Sequence, residues 1–163
     1  MEIQNSIFNY ATLLKQVKAR VALAQKKAIY SANEEMLSMY WDIGKLLCES
    51  QKQIGWGNNA LEQLANDLKN DYPKVKGFSP RNCRCMIQFY KEYNQELTIW
   101  QRAVAKLETS DIILPIKQLS WSHNIALIQK VKDHKARYWY MIQCIKNGWT
   151  RDFLVEAINQ DSV

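Results

Sequence analysis

Hydrophobic residues recur at helical spacing along most of this chain, beginning in its first third. Seven of them alternate at separations of three and four residues, as do the a and d positions of a heptad seam: Ile7, Tyr10, Leu14, Val17, Val21, Ala24 and Ala28. The pattern resumes between Met36 and Leu47, so residues 1–54 are predicted to form an N-terminal helical arm of one long helix or two in line. The seam has two interpretations, packing within the same subunit or a homodimer contact through this N-terminal helix.

Two further helices are predicted on either side of a basic turn. The first carries an apolar stripe at helical spacing: Leu61, Leu64, Ala65 and Leu68. Pro73 ends this helix, because proline disfavours a helical residue before it. Residues 74–78 form the turn, where Gly77 supplies the positive φ that such turns use. The next helix begins at Ser79 and Pro80, a capping hydroxyl followed by a residue suited to the first helical position.

The helix that follows the turn separates its apolar and polar residues onto two faces. The apolar face consists of Cys83, Met86, Ile87 and Tyr90. A helix pair joined by a glycine-containing turn, with basic residues on the outer face of the second helix, is typical of a helix-turn-helix that binds DNA. The residues predicted to contact the groove or the phosphates are Arg81, Asn82, Arg84 and Gln88. Those predicted to anchor phosphates are Lys74, Lys76 and Lys91.

The remainder of the chain predicts more helices and one short strand. Helices are expected at about residues 95–108, 120–132, 135–146 and 150–159. Residues 112–116 are the one plausible strand, which Pro115 would confine to an edge. The predicted fold is therefore mainly α: a helical bundle with a helix-turn-helix core, simple or winged-helix-like, in residues 55–163, forming one compact unit with the arm. Arg151, beyond the turn at Gly148, is a further candidate contact to the DNA backbone.

Charge and composition agree with a DNA partner but do not require one. The chain has 163 residues, is 47% hydrophobic and carries a net charge of +6. Residues 69–91 contain six basic side chains against one acidic, and residues 130–151 repeat that ratio. Such clusters suit a polyanion, although two solvated helix faces would have the same composition. No apolar run is long enough to predict a membrane partner, and four cysteines without framework spacing or a signal peptide predict a cytoplasmic protein.

The sequence predicts neither catalysis nor a metal or other cofactor. A nuclease of the PD-(D/E)XK type needs an acid-x-Lys pair on a strand. The chain contains no Glu-x-Lys, and its two Asp-x-Lys sequences, at 67–69 and 133–135, lie in stretches predicted to be helical. Cys83 and Cys85 are too close together for the usual zinc-binding loop. His123 is interpreted as a capping or surface residue.

Seven short motifs, in this order, resemble the N-terminal domain of the YhcG family (domain of unknown function 1016). They are YWDIGK at 40–45, GWG at 55–57, LANDL at 64–68, GFSPRN at 77–82, WSHN at 121–124, YWY at 138–140 and NGWTR at 147–151. The resemblance extends from about residue 5 to residue 158, and it departs from the family at Cys83 and Cys85, where apolar residues are usual.

The resemblance implies a bacterial protein in which a helical, winged-helix-like domain precedes a C-terminal PD-(D/E)XK nuclease domain. It makes this chain a non-catalytic DNA-binding domain that positions the nuclease on double-stranded DNA, and we expect the chain to end before the nuclease domain begins. The alternative is an oligomerisation or protein-interaction module that makes no direct contact with DNA.

Overall fold

The computed structural model describes the backbone of residues 2–54, 59–104 and 115–161, and the side chains within residues 9–52, 59–94 and 115–161. These residues form α1 (Glu2–Ile54), α2 (Ala60–Asp71), α3 (Pro80–Val104), α4 (Trp121–Lys130), α5 (His134–Asn147) and α6 (Arg151–Asp161). A short 3-10 helix, Pro115–Gln118, precedes α4. The described residues contain no strand, and the predicted mainly α-helical fold with a long N-terminal helix is confirmed.

The helix α1 is continuous, and among its described side chains those from Asn33 onward pack against the rest of the chain. Every residue from 9 to 32 is exposed. The helix meets the body at Asn33, whose side chain donates to the carbonyl oxygens of Lys117 at 3.3 Å and Leu119 at 3.0 Å. The prediction that the seam packs within the same subunit is therefore wrong for residues 10–28. The side chain of Ile7 lies outside the described residues.

The second half of α1 runs antiparallel to α3. Leu47 packs with Cys83, while Trp41, nearer the start of α1, contacts Phe89 with ring centroids 5.4 Å apart. Gly44 lies where the two helices approach most closely, because a Cβ atom there would fall 2.2 Å from the carbonyl oxygen of Met86. Glycine at this position is therefore required by the space between the helices.

Two predicted boundaries after α3 are wrong. The helix does not restart near residue 95 but continues unbroken to Val104. Pro115 and Ile116, predicted to end an edge strand, are instead the buried residues of the 3-10 helix. The carbonyl oxygen of Ile116 accepts a hydrogen bond from the side chain of Asn124 at 3.0 Å, so it needs no partner strand. Residues 112–114, and with them the rest of the predicted wing, lie outside the described residues.

The last three helices enclose the largest apolar cluster with the middle of α3. Its buried members include Phe89, Leu127, Met141 and Leu154. Caps at the ends of these helices fix where they begin and end. Ser120 caps α4 by accepting from the backbone N–H of His123, Asp133 caps α5, and Gly148 ends α5 with a φ of 64°.

Candidate nucleic-acid interface

The turn and helix start that carry the candidate contacts form as predicted. The helix α2 ends at Asp71, and α3 begins at Pro80. The Ser79 hydroxyl accepts from the backbone N–H of Asn82 at 3.1 Å, which satisfies one of the free donors at the start of α3. Gly77 has a φ of 105°, the left-handed conformation that glycine adopts without strain.

The connection between α2 and α3 is longer than a helix-turn-helix usually has. It spans residues 72–79, whereas the typical turn contains about 3–4 residues. The two helices nevertheless share an apolar cluster with α1, in which Leu61 of α2, Leu47 of α1 and Ile87 of α3 are all buried. The helix pair is thus held as part of a three-helix unit, and α3 is supported along its apolar side.

The polar stripe predicted for α3 lies on the side of the helix that faces away from the core. Arg81, Arg84 and Lys91 are exposed, and Gln88 is partly so. At about 100° of rotation and 1.5 Å of rise per residue, the four side chains fall within an arc of ~80° and extend over ~15 Å, opposite the buried Met86. Lys74 and Lys76 are exposed in the preceding turn. The four predicted residues of α3 therefore share one outer face, and the two lysines of the preceding turn are also exposed.

One arginine of this stripe is already paired with a carboxylate. The Arg84 guanidinium donates to Glu62 Oε1 of α2 at 2.7 Å. Their side chains are 58% and 43% exposed, so water screens the pair, and exposed pairs contribute only about 0–1 kcal/mol to stability. A phosphate could compete for Arg84 at little energetic cost. Arg81 and Lys91 form no ion pair with the described residues.

Asn82 lies apart from the stripe, and its amide group is used inside the fold. The amide nitrogen donates to the carbonyl oxygen of Gly77 at 2.6 Å, and the amide oxygen accepts from Trp121 Nε1 at 2.8 Å. The Tyr40 side chain also hydrogen bonds to Asn82; burial raises the pKa of Tyr40, and this bond partly offsets the rise. The amide therefore holds the turn against α1 and α4, so a groove contact would have to compete with these bonds.

Gly77 is fixed by this same group of contacts. In addition to its positive φ, a Cβ atom at this position would lie 2.4 Å from the Tyr40 hydroxyl. The glycine is therefore needed both for the backbone conformation and for the space taken by tyrosine. The positive φ was predicted from the sequence, but the space taken by Tyr40 was not.

The second basic cluster, at residues 130–151, divides into buried and exposed members. Arg137 is only 1% exposed, and its Nε and Nη2 donate to the carbonyl oxygen of Val131. Its Nη1 lies 2.7 Å from Glu92 Oε1, in an ion pair without the alignment of a hydrogen bond. Arg151 is exposed and lies 3.1 Å from the carboxylate of Asp152. The cluster thus presents less free positive charge than its composition suggests.

Four lysines of this second cluster have exposed side chains. They are Lys130, Lys132, Lys135 and Lys146.

The residues of the WSHN sequence at the start of α4 connect parts of the fold. Trp121 holds Asn82, as described above. The ring of His123 contacts the Ser120 hydroxyl through Nδ1 at 2.5 Å and the carbonyl oxygen of Trp149 through Nε2 at 2.7 Å. Asn124 is fully buried. Both ring nitrogens of the histidine thus have partners within the fold, and the residue that caps α4 is Ser120 rather than His123.

The thiols and acidic groups show no arrangement that would hold a metal within the described residues. All four cysteines are buried and unpaired. Burial raises the pKa of Cys83 and Cys85, effects that Arg84 and Arg81 respectively oppose, and it raises the pKa of Cys144 to about 11. No group of three or more potential metal ligands occurs in this part of the chain.

The model of the DUF1016 N-terminal domain matches residues 16–163. The chain belongs to this family. No curated protein and no solved structure shows significant similarity to it. The match to the DUF1016 N-terminal domain begins inside the exposed part of α1 and includes α2, the turn, α3 and all the helices that follow. Over the described residues of this domain, no helix combines the length and the apolar character needed to cross a bilayer.

Proposed function

We propose that this DUF1016 N-terminal domain is a non-catalytic module that binds double-stranded DNA through the outer face of α3 and the turn before it. The observation that carries the proposal is the supported, outward stripe of Arg81, Arg84, Gln88 and Lys91 on α3. Its length of ~15 Å is comparable with the ~12 Å width of a major groove, and Arg, Lys and Gln all donate hydrogen bonds to phosphates or base edges.

The two arginines and three lysines of this surface, together with Gln88, would act mainly on the DNA backbone. Lys74 and Lys76 are exposed in the turn before α3, where they would anchor phosphates. Arg81 is one residue into α3, where guanidinium contact to a guanine edge or to a phosphate is sterically open. In the longer proteins that the resemblance implies, this domain would position a nuclease on the duplex.

The absence of a catalytic role is part of the same proposal. Asp67 and Lys69 both lie on α2, and Asp133 uses its carboxylate to cap α5 by accepting from the backbone N–H of Ala136 at 3.0 Å. Neither Asp-x-Lys sequence lies on a strand, which is where the PD-(D/E)XK arrangement places its metal ligands. Incubation of the chain with duplex and Mg²⁺ should leave the DNA intact, and cleavage that purifies with the chain would contradict the proposal.

Fluorescence anisotropy of a labelled duplex at two salt concentrations tests DNA binding. If four to six phosphates are neutralised, the slope of log K against log salt is about −4 to −5, so affinity falls by roughly 250- to 1,000-fold between about 50 and 200 mM salt. No binding at the lower salt concentration would refute the proposal.

The double variant Arg81→Gln, Lys91→Gln tests the location of the contact. It should weaken binding to all sequences and reduce the magnitude of the salt slope by about two. The matched control is Lys45→Gln, Lys52→Gln, which removes the same charge from two exposed positions on α1. Equal losses in both variants would show that the total charge, rather than the face of α3, attracts the DNA.

A further inference from the structure

The exposed segment of α1, residues 9–32, carries large apolar side chains in contact with solvent. Tyr10 is 65% exposed, Leu13 55%, Val17 51% and Val21 49%. At 1.5 Å per residue the segment is ~36 Å long, and it makes no contact that buries any of its residues. Isolated helices are only marginally stable in water, and contiguous exposed apolar surface usually marks an interaction site.

The apolar side chains of the exposed segment lie on one side of the helix. At about 100° per residue, six of them fall within an arc of ~100° that contains no charged residue. They are Leu13, Leu14, Val17, Val21, Ala24 and Ala28. Further along α1 the a positions of the same heptad are Glu35, Asp42 and Glu49, all exposed. The apolar seam therefore ends near Ser31, and acidic groups would separate two paired helices beyond it.

We propose that the exposed segment forms a parallel two-stranded coiled coil with a second copy of this chain. In this arrangement Leu14, Val17 and Val21 each pack against the same residue of the partner copy, as the a and d positions of a parallel dimer do. Each helix would thereby cover the apolar seam of the other.

The charged residues beside the seam favour the parallel orientation. In a parallel pair, each g position faces the e position five residues later in the partner. Lys18 then faces a leucine, Leu13, and Arg20 faces a neutral residue, Gln25, so no cation opposes a cation across the seam. An antiparallel pair centred on the same seam would bring Arg20 against the second copy's Arg20. Like charges at such positions oppose pairing, so the sequence disfavours that alternative.

The globular part of the chain leaves the seam accessible to a second copy. The buried residues of α1, including Leu37, Tyr40, Gly44 and Cys48, point to the side of the helix roughly opposite the seam. Two parallel copies would therefore carry their bodies on the outer sides of the coiled coil. The bodies would not lie between the paired segments.

The size and charge of the contact predict a weak dimer with an unusual response to salt. A strip ~36 Å long and ~10 Å wide on each of two copies amounts to on the order of 700 Å² in projection, below the ~1,200 Å² of a standard stable interface. Five basic residues and no acidic one lie between residues 9 and 32. Because the copies repel each other, added salt should strengthen their association, whereas it would weaken binding to an acidic protein, an anionic lipid surface or DNA.

Sedimentation velocity over a hundredfold range of protein concentration, without DNA and at low and high salt, tests the proposal. We expect a monomer–dimer equilibrium that shifts toward dimer with concentration and with salt. A monomer throughout, or association that salt weakens, would overturn the proposal. Since no DNA is present, failure here leaves the proposed DNA contact of α3 untouched, and failure of DNA binding leaves the dimer untouched.

A matched pair of double variants locates the contact on the seam. Val17→Asp, Val21→Asp should abolish the dimer, while Ala19→Asp, Leu23→Asp should retain it. Both variants place two carboxylates four residues apart in the same exposed helix, so net charge changes alike. The control replaces better helix formers than valine, so it loses more helix propensity, and a loss of helix alone would weaken its dimer more. Circular dichroism checks that the body stays folded. Equal dimerisation of the two variants would place the contact elsewhere and overturn the proposal.

Cross-linking tests the orientation. Leu14→Cys introduces a thiol into a chain whose native cysteines are buried, and in a parallel pair the two copies of residue 14 lie within disulfide distance. Oxidation should give a disulfide-linked dimer. In the antiparallel register, residue 14 faces residue 24 of the second copy. The parallel arrangement would be refuted if Leu14→Cys fails to cross-link with itself but cross-links efficiently with Ala24→Cys.

Discussion

Replacement of Asn82 by alanine removes the side chain that joins the turn before α3 to α4. The hydrogen bond with Tyr40 is lost, and so are two others, the bond donated to the carbonyl oxygen of Gly77 at 2.6 Å and the bond accepted from Trp121 Nε1 at 2.8 Å. Gly77 and Trp121 then each lose a protein hydrogen bond at a site that is only partly open to water. Each unsatisfied buried group costs about 1–3 kcal/mol, so partial access to water gives an expected total of about 2–4 kcal/mol.

This loss should be visible as a large change in thermal stability. For a domain of this size a change of 1 kcal/mol moves the melting temperature by about 2–4 °C, so Asn82→Ala should melt about 5–15 °C lower than the wild type. Asn66→Ala, a change of the same type at an exposed position on α2, should stay within about 0.5 kcal/mol of the wild type. Thermal denaturation followed by circular dichroism measures the melting temperatures, and urea denaturation measures the free energies of unfolding.

A second variant separates the two hydrogen bonds. Asn82→Asp keeps an oxygen that can accept from Trp121 but replaces the donor to Gly77 with a charged acceptor. It should therefore also be destabilised, because two acceptors then face each other.

The outcome that would refute this reasoning is specific. If Asn82→Ala unfolds like the wild type and yet binds duplex DNA more than tenfold more weakly, the amide reads DNA and its internal bonds contribute little.

The remaining predictions concern the packing of α1, the ion pair beside the stripe, a buried tyrosine and the thiols. Gly44→Ala should destabilise the domain by about 1–3 kcal/mol or more, because the added Cβ meets the backbone of α3. The control Gly148→Ala has no atom within 4 Å of its Cβ, so it adds backbone strain but no such clash. If Gly44→Ala melts like the wild type, the close approach of α1 and α3 at this position is contradicted. Glu62→Gln should leave stability within about 1 kcal/mol but tighten DNA binding by freeing Arg84, and unchanged anisotropy titrations would count against Arg84 as a contact. Burial, with the hydrogen bond to Asp161 adding to it, raises the pKa of Tyr140 from 10.0 to about 12. The tyrosine therefore stabilises the fold fully below pH 10 and loses this effect as the pH rises toward 12; Tyr140→Phe should flatten that part of the stability–pH curve, and an unchanged slope would contradict the assignment. All four thiols are buried, and the pKa of Cys144 is raised to about 11. A thiol reagent near neutral pH should therefore label the folded chain slowly and the unfolded chain completely. Rapid labelling of the folded protein would show that the core opens easily.

The sequence located the candidate surface well because helical periodicity is a local property. The separation of Arg81, Arg84, Gln88 and Lys91 from the apolar residues of α3 follows from 3.6 residues per turn, whatever the rest of the chain does. The same periodicity also indicated that Asn82 does not belong to this outer face. It lies about 100° from Arg81 around the helix, on the side of the buried residues, so it could have been assigned to the fold from its position alone.

Arg137 had no such local signal. It occurs in a basic stretch, beside Ala136 and the exposed Tyr138, and nothing in its neighbourhood marks it as buried. Its burial depends on Glu92, which lies far away in the sequence on α3, and on the stacking of its guanidinium 5.6 Å from the Tyr93 ring centroid. A count of charges over residues 130–151 therefore overstated the positive surface of that region.

The sequence by itself determined the helical class, the Ser79 cap of α3, the positive φ of Gly77 and the basic outer face of α3, because each depends on residues within about one or two helical turns. The tertiary structure alone decided that the seam of α1 is left exposed and that the Asn82 amide is held by Trp121. Those features depend on which distant segments come together. A pattern of spacings says which side of a helix is apolar, but only the packed chain says what covers it.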